Sequence, residues 1–335
     1  MAGQRFGSDP AYACYEKAAN RWVGPKDGLT IDIIARPAGF NRPGVVMLSG
    51  DQPVAVVAQN AVLSGDFPAT ASVWRFNHAT GEWEGFGGTA ADQIYTGSCV
   101  GGACTHVVAD VAINPVTGFF GIVVADDSKI SYIVFDGTSY TAAETVTMNA
   151  GGIATPAIAY DANGTPQIVW GGKTASGQPV PVKRAYRVGP SNWRLNGFGD
   201  VAFAADVATN GTEVSVSYTT GAPGRVRVWT FNGLWYSGVI NPVGDDARGV
   251  SISYNSLGQL YAVWSSETDK DLLLLHRVGG TWQNMAGGTS PEQVTTDQWT
   301  NPGPCVLTDA ADNPLVVGSI LSGTYYDVLY THWLP

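Results

Sequence analysis

The segment AIAYDANGTPQIVW, residues 157–170, contains two short apolar runs separated by a turn. Asn163 and Gly164 at its centre are a pair that favours a tight β-hairpin, because these residue types tolerate positive φ angles. The flanking runs are rich in Ile, Val and aromatic residues, which favour β-strands. The segment therefore predicts an antiparallel hairpin of two apolar strands.

Five further segments share this pattern of strand, turn and strand. They are VVMLSGDQPVAVV, VAINPVTGFFGIVV, VATNGTEVSVSY, SISYNSLGQLYAVW and VLTDAADNPLVVG, with Gly211, Gly258 and Asn313 at turn positions equivalent to Gly164. Aligned on the first residue after the turn, the six copies are anchored at Pro53, Phe120, Pro166, Glu213, Leu260 and Pro314. Their successive spacings are 67, 46, 47, 47 and 54 residues. The recurrent spacing is close to the roughly 40–45 residues of a four-stranded propeller blade.

A second hairpin follows each of the first five copies. Its last strand carries an early aromatic residue in every case: Trp83, Tyr140, Trp193, Trp235 and Trp282. A large ring at a fixed repeat position is typical of packing between neighbouring blades. We therefore expect these rings to be structural.

The sixth copy reaches only a third strand, YYDVLYTH, before the sequence given ends at Pro335. Near the other terminus, CYEKAANRWV has the pattern of a second hairpin, with Trp22 in the aromatic position. We expect both termini to share the last blade, because such closure hides sheet edges. The N-terminal segment also contains a third strand, so a seventh partial blade or an extra edge strand is the alternative.

The sequence thus predicts an all-β, six-bladed β-propeller forming a single domain over residues 1–335. The predicted blades cover approximately residues 43–87, 104–147, 154–199, 200–242, 247–287, and 302–335 together with 10–24.

Two elements, AYDANGTPQIVW and HRVGGTWQNM, resemble the blades of sialidase-type and lectin-type β-propellers. The resemblance extends over nearly the whole chain at the level of the blade pattern. The Asp-box of these propellers, Ser-x-Asp-x-Gly-x-Thr-Trp, is not intact; GGTW at 279–282 and GPSNW at 189–193 are partial matches. The resemblance implies a fold, whereas function has to be argued from the site, since propellers host many activities.

The chain is acidic, with a net charge of -10, and it contains no cluster of Lys or Arg. A phosphate-binding stripe is therefore missing, which argues against a nucleic-acid partner. No apolar run approaches the length of about 18 residues that a membrane helix needs, and residues 1–9 contain no signal-peptide core. The composition, rich in Gly and poor in charge, suits a phage tail, fibre or capsid-decoration protein, and a secreted lectin without its signal peptide fits it about as well. We expect a virion or extracellular location, with a cytoplasmic one left open.

Four cysteines are present. Cys99 and Cys104 lie in CVGGAC, where two glycines would let a disulfide close in an oxidising environment. Only His106 lies near them and the paired CxxC spacing is missing, so we expect no metal and no cofactor. Cys14 and Cys305 fall in the shared last blade, on strands that are not neighbours, and we do not predict that they pair.

Long insertions indicate which end of the blades carries function. In an antiparallel blade, the loop between strands two and three and the link to the next blade emerge on one face, opposite the two hairpin turns. The insertions at residues 25–43, 87–106 and 287–302 are all links. We therefore predict a crown of loops on the link face, with Tyr95, Asp297, Gln298 and Trp299 as ligand contacts.

The loops between strands two and three on this face add four carboxylates. They are Asp126, Asp127, Glu267 and Asp269, with Lys129 and Lys270 beside them. Aromatic rings in loops suit stacking on sugars. The plain alternatives are solvated charges and loops that cover the mouth of a central tunnel.

Two function classes follow. The leading one is a non-catalytic recognition or assembly module that binds a glycan or a protein surface. The alternative is a propeller glycoside hydrolase or lyase, which needs two carboxylates flanking the scissile bond. A sialidase would also need an arginine cluster, and Arg187, Arg227 and Arg277 recur in third strands. No Gly-x-Ser-x-Gly, HExxH or P-loop motif is present.

Overall fold

A computed structural model describes residues 2–5, 9–12, 14–16, 21–23, 32–33, 44–60, 69–88, 90–97, 106–221, 224–295, 303–309, 311–322 and 325–332, with side chains only between residues 44 and 318. Every regular element in these ranges is a β-strand. None of the described residues forms a helix that could cross a membrane. The chain divides into two compact units, the first comprising residues 1–158 and 187–193 and the second residues 159–186 and 194–335.

The first unit contains two small N-terminal sheets and two blades. The N-terminal strands are β1 (Ala2–Arg5), β2 (Asp9–Tyr12), β3 (Cys14–Glu16), β4 (Arg21–Val23) and β5 (Asp32–Ile33), which pair as β1-β2-β5 and β3-β4. The first blade contains β6 (Gly44–Leu48), β7 (Gln52–Gln59), β8 (Thr70–Asn77), β9 (Glu82–Glu84) and β10 (Asp92–Thr96), in the order β10-β8-β7-β6 with β9 also on β8. The second blade contains β11 (Val107–Ile113), β12 (Phe120–Asp126), β13 (Ile130–Val134) and β14 (Glu144–Thr147), paired in chain order.

The remaining blades lie mostly in the second unit. A seven-stranded sheet paired in chain order contains β15 (Ile153–Tyr160), β16 (Pro166–Lys173), β17 (Val180–Gly189), β18 (Asn192–Thr209), β19 (Val214–Thr220), β20 (Val226–Phe231) and β21 (Trp235–Val239). The fifth blade contains β22 (Ala247–Tyr254), β23 (Leu260–Ser266), β24 (Asp271–Val278), β25 (Thr281–Gln283) and β26 (Glu292–Gln293), in the order β22-β23-β24-β25 with β26 also on β24. The sixth contains β27 (Cys305–Thr308), β28 (Pro314–Ser322) and β29 (Tyr325–His332), paired in chain order.

The six repeated hairpins of the sequence are therefore the first two strands of six blades, and the all-β, six-bladed prediction is confirmed. The third and fourth blades share β18, which serves as the last strand of one and the first of the next. The predicted boundary between them, at residues 199 and 200, lies inside this continuous strand. Closure of the last blade by both termini stays a prediction.

The second strand carries most of the apolar burial in the first five blades. Every residue of β12 and β23 is buried, and β7, β16 and β19 are buried along nearly their whole length. These strands are covered on both faces, which explains why their sequences are almost continuous apolar runs. Third strands such as β20 instead alternate between buried and half-buried residues. The core consequently lies between the faces of neighbouring blades.

The turn between strands one and two is fixed by one side chain in five of the six copies. Asn114, Asp161, Asn210, Asn255 and Asp309 each accept a backbone N–H from within their own turn. Asn and Asp are suited to this role because their short side chains reach the backbone two residues further on. Gly164 and Gly211 have φ values of 73° and 92°, as expected. In the last turn the positive φ belongs to Asp312, one residue before the expected Asn313.

First strands of successive blades are joined by a repeated side-chain contact. The carboxylate of Asp110 accepts the backbone N–H of Ile158 at 3.0 Å, and Asp206 accepts that of Ile252 at 3.0 Å. Ser251 takes the same position in the fifth blade, and its hydroxyl oxygen accepts the N–H of Val306 at 3.3 Å. All three acceptors stand four residues before the Asn of the following turn. We call this contact the first-strand staple.

The aromatic residues of the fourth strands pack as structural groups. The Trp193 indole donates to Glu144 of the preceding blade at 2.5 Å and lies 5.3 Å from the Tyr132 ring. The Tyr140 hydroxyl donates to Asp92, also of the preceding blade, at 3.1 Å. These contacts confirm the expected packing between blades at both positions.

Replacing Asp206 with Ala should destabilise the protein, because the Ile252 N–H would lose its side-chain acceptor. An unsatisfied buried donor costs about 1–3 kcal/mol. Asp206→Asn keeps an acceptor oxygen and should lose less. Urea unfolding at neutral pH measures both variants, and an Ala variant as stable as wild type would contradict a role for the staple.

Candidate functional site

Each of the three third-strand arginines forms an ion pair with a carboxylate. Arg187 pairs with Glu144 at 2.8 Å, Arg227 with Asp200 at 2.9 Å, and Arg277 with Glu213 at 2.5 Å. Each guanidinium is therefore matched to its own carboxylate. Arg187 and Arg277 reach a carboxylate of the preceding blade, which is the bridging role considered from the sequence.

Two of the predicted contact residues, Tyr95 and Asp126, meet inside the first unit. The Tyr95 hydroxyl donates to Asp126 at 2.7 Å, and both residues are buried. The other carboxylate oxygen of Asp126 accepts the backbone N–H groups of Ser128 and Lys129 at 2.9 Å. Tyr95 lies in the link between the first and second blades. Its bond to Asp126 attaches that link to the loop between β12 and β13. Because both side chains are buried, they support the loop from beneath the surface.

Hydrogen bonding sets the ionisation of this pair. Burial and the bond to Asp126 raise the pKa of Tyr95, so the phenol stays protonated as a donor. Burial alone would raise the pKa of Asp126, but the bonds from Tyr95, Ser128 and Lys129 outweigh it and lower that pKa. The contact at neutral pH is thus a charge-assisted bond to a carboxylate.

The neighbouring predicted residue, Asp127, pairs with His106. Their side chains approach to 3.1 Å, and both are partly exposed. The Lys129 ammonium lies 5.6 Å from the centre of the Tyr95 ring. The predicted residues Cys99, Cys104, Asp297, Gln298 and Trp299 lie outside the described residues, so their roles stay predictions.

The fifth blade shows a second way of fixing a link. Asp245, in the link from the fourth blade, is buried and accepts the Trp264 indole N–H at 2.9 Å and the Ser266 hydroxyl at 2.6 Å. Trp264 and Ser266 are both on β23, so one carboxylate holds the incoming link against the second strand.

The outgoing link of the same blade is held by Asp271. This carboxylate is buried at the start of β24 and accepts the Thr295 hydroxyl at 3.0 Å and the Gln293 amide. Gln293 and Thr295 belong to the link that leads to the sixth blade. Both links of the fifth blade are therefore anchored by buried carboxylates.

A cleft opens between these two anchored links. Its volume is about 380 Å³, and it is lined by Pro242, Asp269, Asp271, Leu273, Pro291 and Gln293. Ligand pockets are typically about 300–1,000 Å³, with mostly apolar walls and a few placed polar groups. Asp269 is exposed at this cleft, whereas Asp271 is buried and already holds two donors.

The two predicted carboxylates of this blade therefore differ. Asp269 lines the cleft, while Glu267 forms an ion pair with Lys270 at 3.0 Å. The sequence did not single out Asp271, Gln293 or the two prolines. Asp271 directly follows the predicted Asp269 and Lys270, so its place in the same loop could have identified it from the sequence. Gln293 belongs to a later link and comes near Asp271 only when the chain folds.

Replacing Tyr95 with Phe should destabilise the protein by about 1.5–3 kcal/mol at pH 7, the range for a hydrogen bond to a charged group. Because the pKa of Asp126 is lowered in the folded state, its stabilisation is full above the ordinary Asp pKa and is lost as the pH falls below it. The stability difference between wild type and Tyr95→Phe should therefore shrink between about pH 5 and pH 3. Urea unfolding across this range measures it.

Tyr236→Phe provides a matched control, because Tyr236 is exposed. This variant should stay within about 0.5 kcal/mol of wild type, as is usual for surface substitutions. A Tyr95→Phe penalty that does not change with pH would mean that the Asp126 charge is not involved.

No protein-family model matches the chain, and no curated protein matches it. Among solved structures, the Hadza microbial sialidase Hz136 is similar with a TM-score of 0.55 at 12% identity, over 83% of this chain; the chain spans 63% of that sialidase. The α-L-arabinofuranosidase Arb93A of Fusarium graminearum has a TM-score of 0.55 at 11% identity, over 89% of this chain and 94% of that one. The α-L-arabinanase of Penicillium chrysogenum has a TM-score of 0.55 at 10% identity, over 87% and 92%. At such low identity these likenesses show the fold alone, which is a β-propeller.

Proposed function

We propose that this protein is a non-catalytic recognition module that binds an uncharged glycan on the link face of its fifth blade. The observation that carries the proposal is the cleft of about 380 Å³ lined by one exposed carboxylate, two prolines and a leucine. A protein surface is the competing ligand, and assembly into a virion is a special case of it that rests on composition alone.

The lining of the cleft matches the two kinds of surface that a sugar presents. Asp269 offers acceptor oxygens to hydroxyl groups, and bonds to a charged acceptor are stronger than those between neutral groups. Pro242 and Pro291 offer apolar surface to the C–H face of a sugar ring, and Leu273 is buried behind them.

Anchoring of both links favours binding. Asp245 and Asp271 hold the two walls of the cleft before any ligand arrives, through bonds to Trp264, Ser266 and Thr295. A preformed site avoids the entropy that ordering a loop would cost on binding. The buried carboxylates thus support the site without having to contact the ligand.

The negative charge at and around the cleft favours uncharged ligands over anionic ones. Asp269 lies at the cleft, Glu267 is nearby in the same loop, and the whole chain carries a net charge of -10. Juxtaposing like charges penalises the wrong ligand, so sialic and uronic acids should bind poorly. The similar solved structures are glycosidases by name, which supports a sugar ligand only by analogy of fold.

The alternative is a glycoside hydrolase or lyase. The observation in its favour is that Asp269 and Asp271 line the same cleft, as a pair of carboxylates would in a glycosidase. Asp271, however, is committed to two hydrogen bonds, so its oxygens serve the Gln293 and Thr295 side chains.

A glycan array with neutral and anionic members tests the proposal, with any released sugar identified by mass spectrometry. We expect binding to neutral glycans without release. Asp269→Asn should weaken this binding about tenfold, which corresponds to about 1.4 kcal/mol. Release of sugar would instead support the hydrolase or lyase.

Asp136→Asn is the matched control. Asp136 is exposed in a hairpin turn of the second blade, and Asn can keep its bonds to the Thr138 and Ser139 backbone. Its glycan binding should equal that of wild type. Equal binding by wild type and Asp269→Asn would remove this cleft as the site.

A further inference from the structure

The opposite end of the fourth and fifth blades, where the turns between strands one and two lie, shows an unusual junction. Turns of the third and fourth blades touch, since the Ala162 N–H donates to the Gly211 carbonyl at 3.4 Å. Those of the fifth and sixth blades also touch, because Ser256 donates its N–H and hydroxyl to Asp312 at 2.6 and 2.7 Å. Between the fourth and fifth blades the turns instead border a cleft.

This second cleft has a volume of about 540 Å³ and an uncharged lining. It is formed by Thr209, Asn210 and Thr212 from the fourth blade and by Tyr254, Asn255, Ser256, Leu257 and Gly258 from the fifth. Hydroxyl and amide groups can both donate and accept hydrogen bonds. Such a lining suits a ligand that also carries mixed donors and acceptors without net charge.

The side of the cleft at Tyr254 is rigidly supported. The Tyr254 hydroxyl donates to Glu213 at 3.1 Å and bonds with the Ser215 hydroxyl at 2.8 Å. Arg277 neutralises Glu213 at 2.5 Å and also bonds to Thr230 at 2.8 Å. This network spans both blades, so the positions of the two walls are fixed relative to each other.

The mouth of the cleft combines a positioned amide with an exposed apolar group. The Asn210 carboxamide oxygen accepts the N–H groups of Thr212 and Glu213 at 3.1 and 2.8 Å, which orients its nitrogen. A Cβ atom on Gly258 would lie 3.3 Å from that nitrogen, so the absence of a side chain there keeps the approach open. Leu257 beside it is 72% exposed and offers an apolar contact.

We propose that this turn-face cleft is a second ligand site, for an uncharged polyhydroxy compound such as a neutral sugar. It lies at the opposite end of β23 from the link-face cleft, and seven residues of strand span about 23 Å. Two sites so arranged make the protein a cross-linker of glycan chains. The choice of ligand class rests on the proposed function, whereas the site itself rests on the cleft.

The test counts bound sugars by native mass spectrometry, with D-glucose, D-galactose, D-mannose and L-arabinose as probes. Thr212→Trp fills the turn-face cleft from an exposed position, and Val116→Trp makes the same change in the equivalent turn of the second blade, where Val116 is 63% exposed. Leu257→Glu is a second variant that leaves the fold intact, because Leu257 is a surface residue.

Wild type and Val116→Trp should bind two sugars per chain. Thr212→Trp should bind one sugar. Asp269→Asn should bind one sugar with wild-type affinity and the other about tenfold more weakly, and the double variant should keep only the weakened site. Leu257→Glu should weaken one of the two sites about tenfold.

Two sugars bound with wild-type affinity in both Thr212→Trp and Leu257→Glu would overturn the second site. A single wild-type site that is weakened only by Asp269→Asn would overturn it as well, and leave the proposed function standing. A single site lost only in Thr212→Trp would keep the turn-face site and remove the proposed function. Absence of binding by all four sugars would contradict both.

Discussion

Side-chain oxygens that accept hydrogen bonds across blade junctions are the constraint on which this structure depends. A blade is a small sheet with two faces, and packing of apolar faces alone leaves sliding between neighbours weakly opposed. A directional bond removes that freedom, because a donor and an acceptor must meet within a few tenths of an ångström. Asp110, Asp206 and Ser251 provide such bonds between first strands.

The same device reappears at the ends of the blades, where it organises surface loops. Asp126, Asp245 and Asp271 are buried, and each accepts donors that tie a link to the end of a second or third strand. Burying a carboxylate is costly unless its oxygens are hydrogen-bonded. All three carboxylates accept such bonds, and these bonds hold each loop in a defined position.

The two ends of the fourth and fifth blades differ in electrostatic character. At the turn end, Arg277 cancels the charge of Glu213 and leaves a neutral lining of hydroxyl and amide groups. At the link end, Asp269 stays exposed beside the cleft. The fifth blade thereby presents an uncharged surface at one end and an acidic one at the other.

The sequence by itself determined the repeat, the hairpins and the all-β fold, because spacing, Asn and Gly turns and apolar strands are local properties of the chain. It also placed Asp269 in a polar loop between the second and third strands of its blade, because such loops follow from that same pattern. Tertiary structure alone decided that Tyr95 and Asp126 are buried partners, that Gln293 joins Asp271, and that the turns of the fourth and fifth blades line a common cleft. These features depend on residues tens of positions apart meeting at a junction, where a shift of one residue in register reverses which face a side chain occupies.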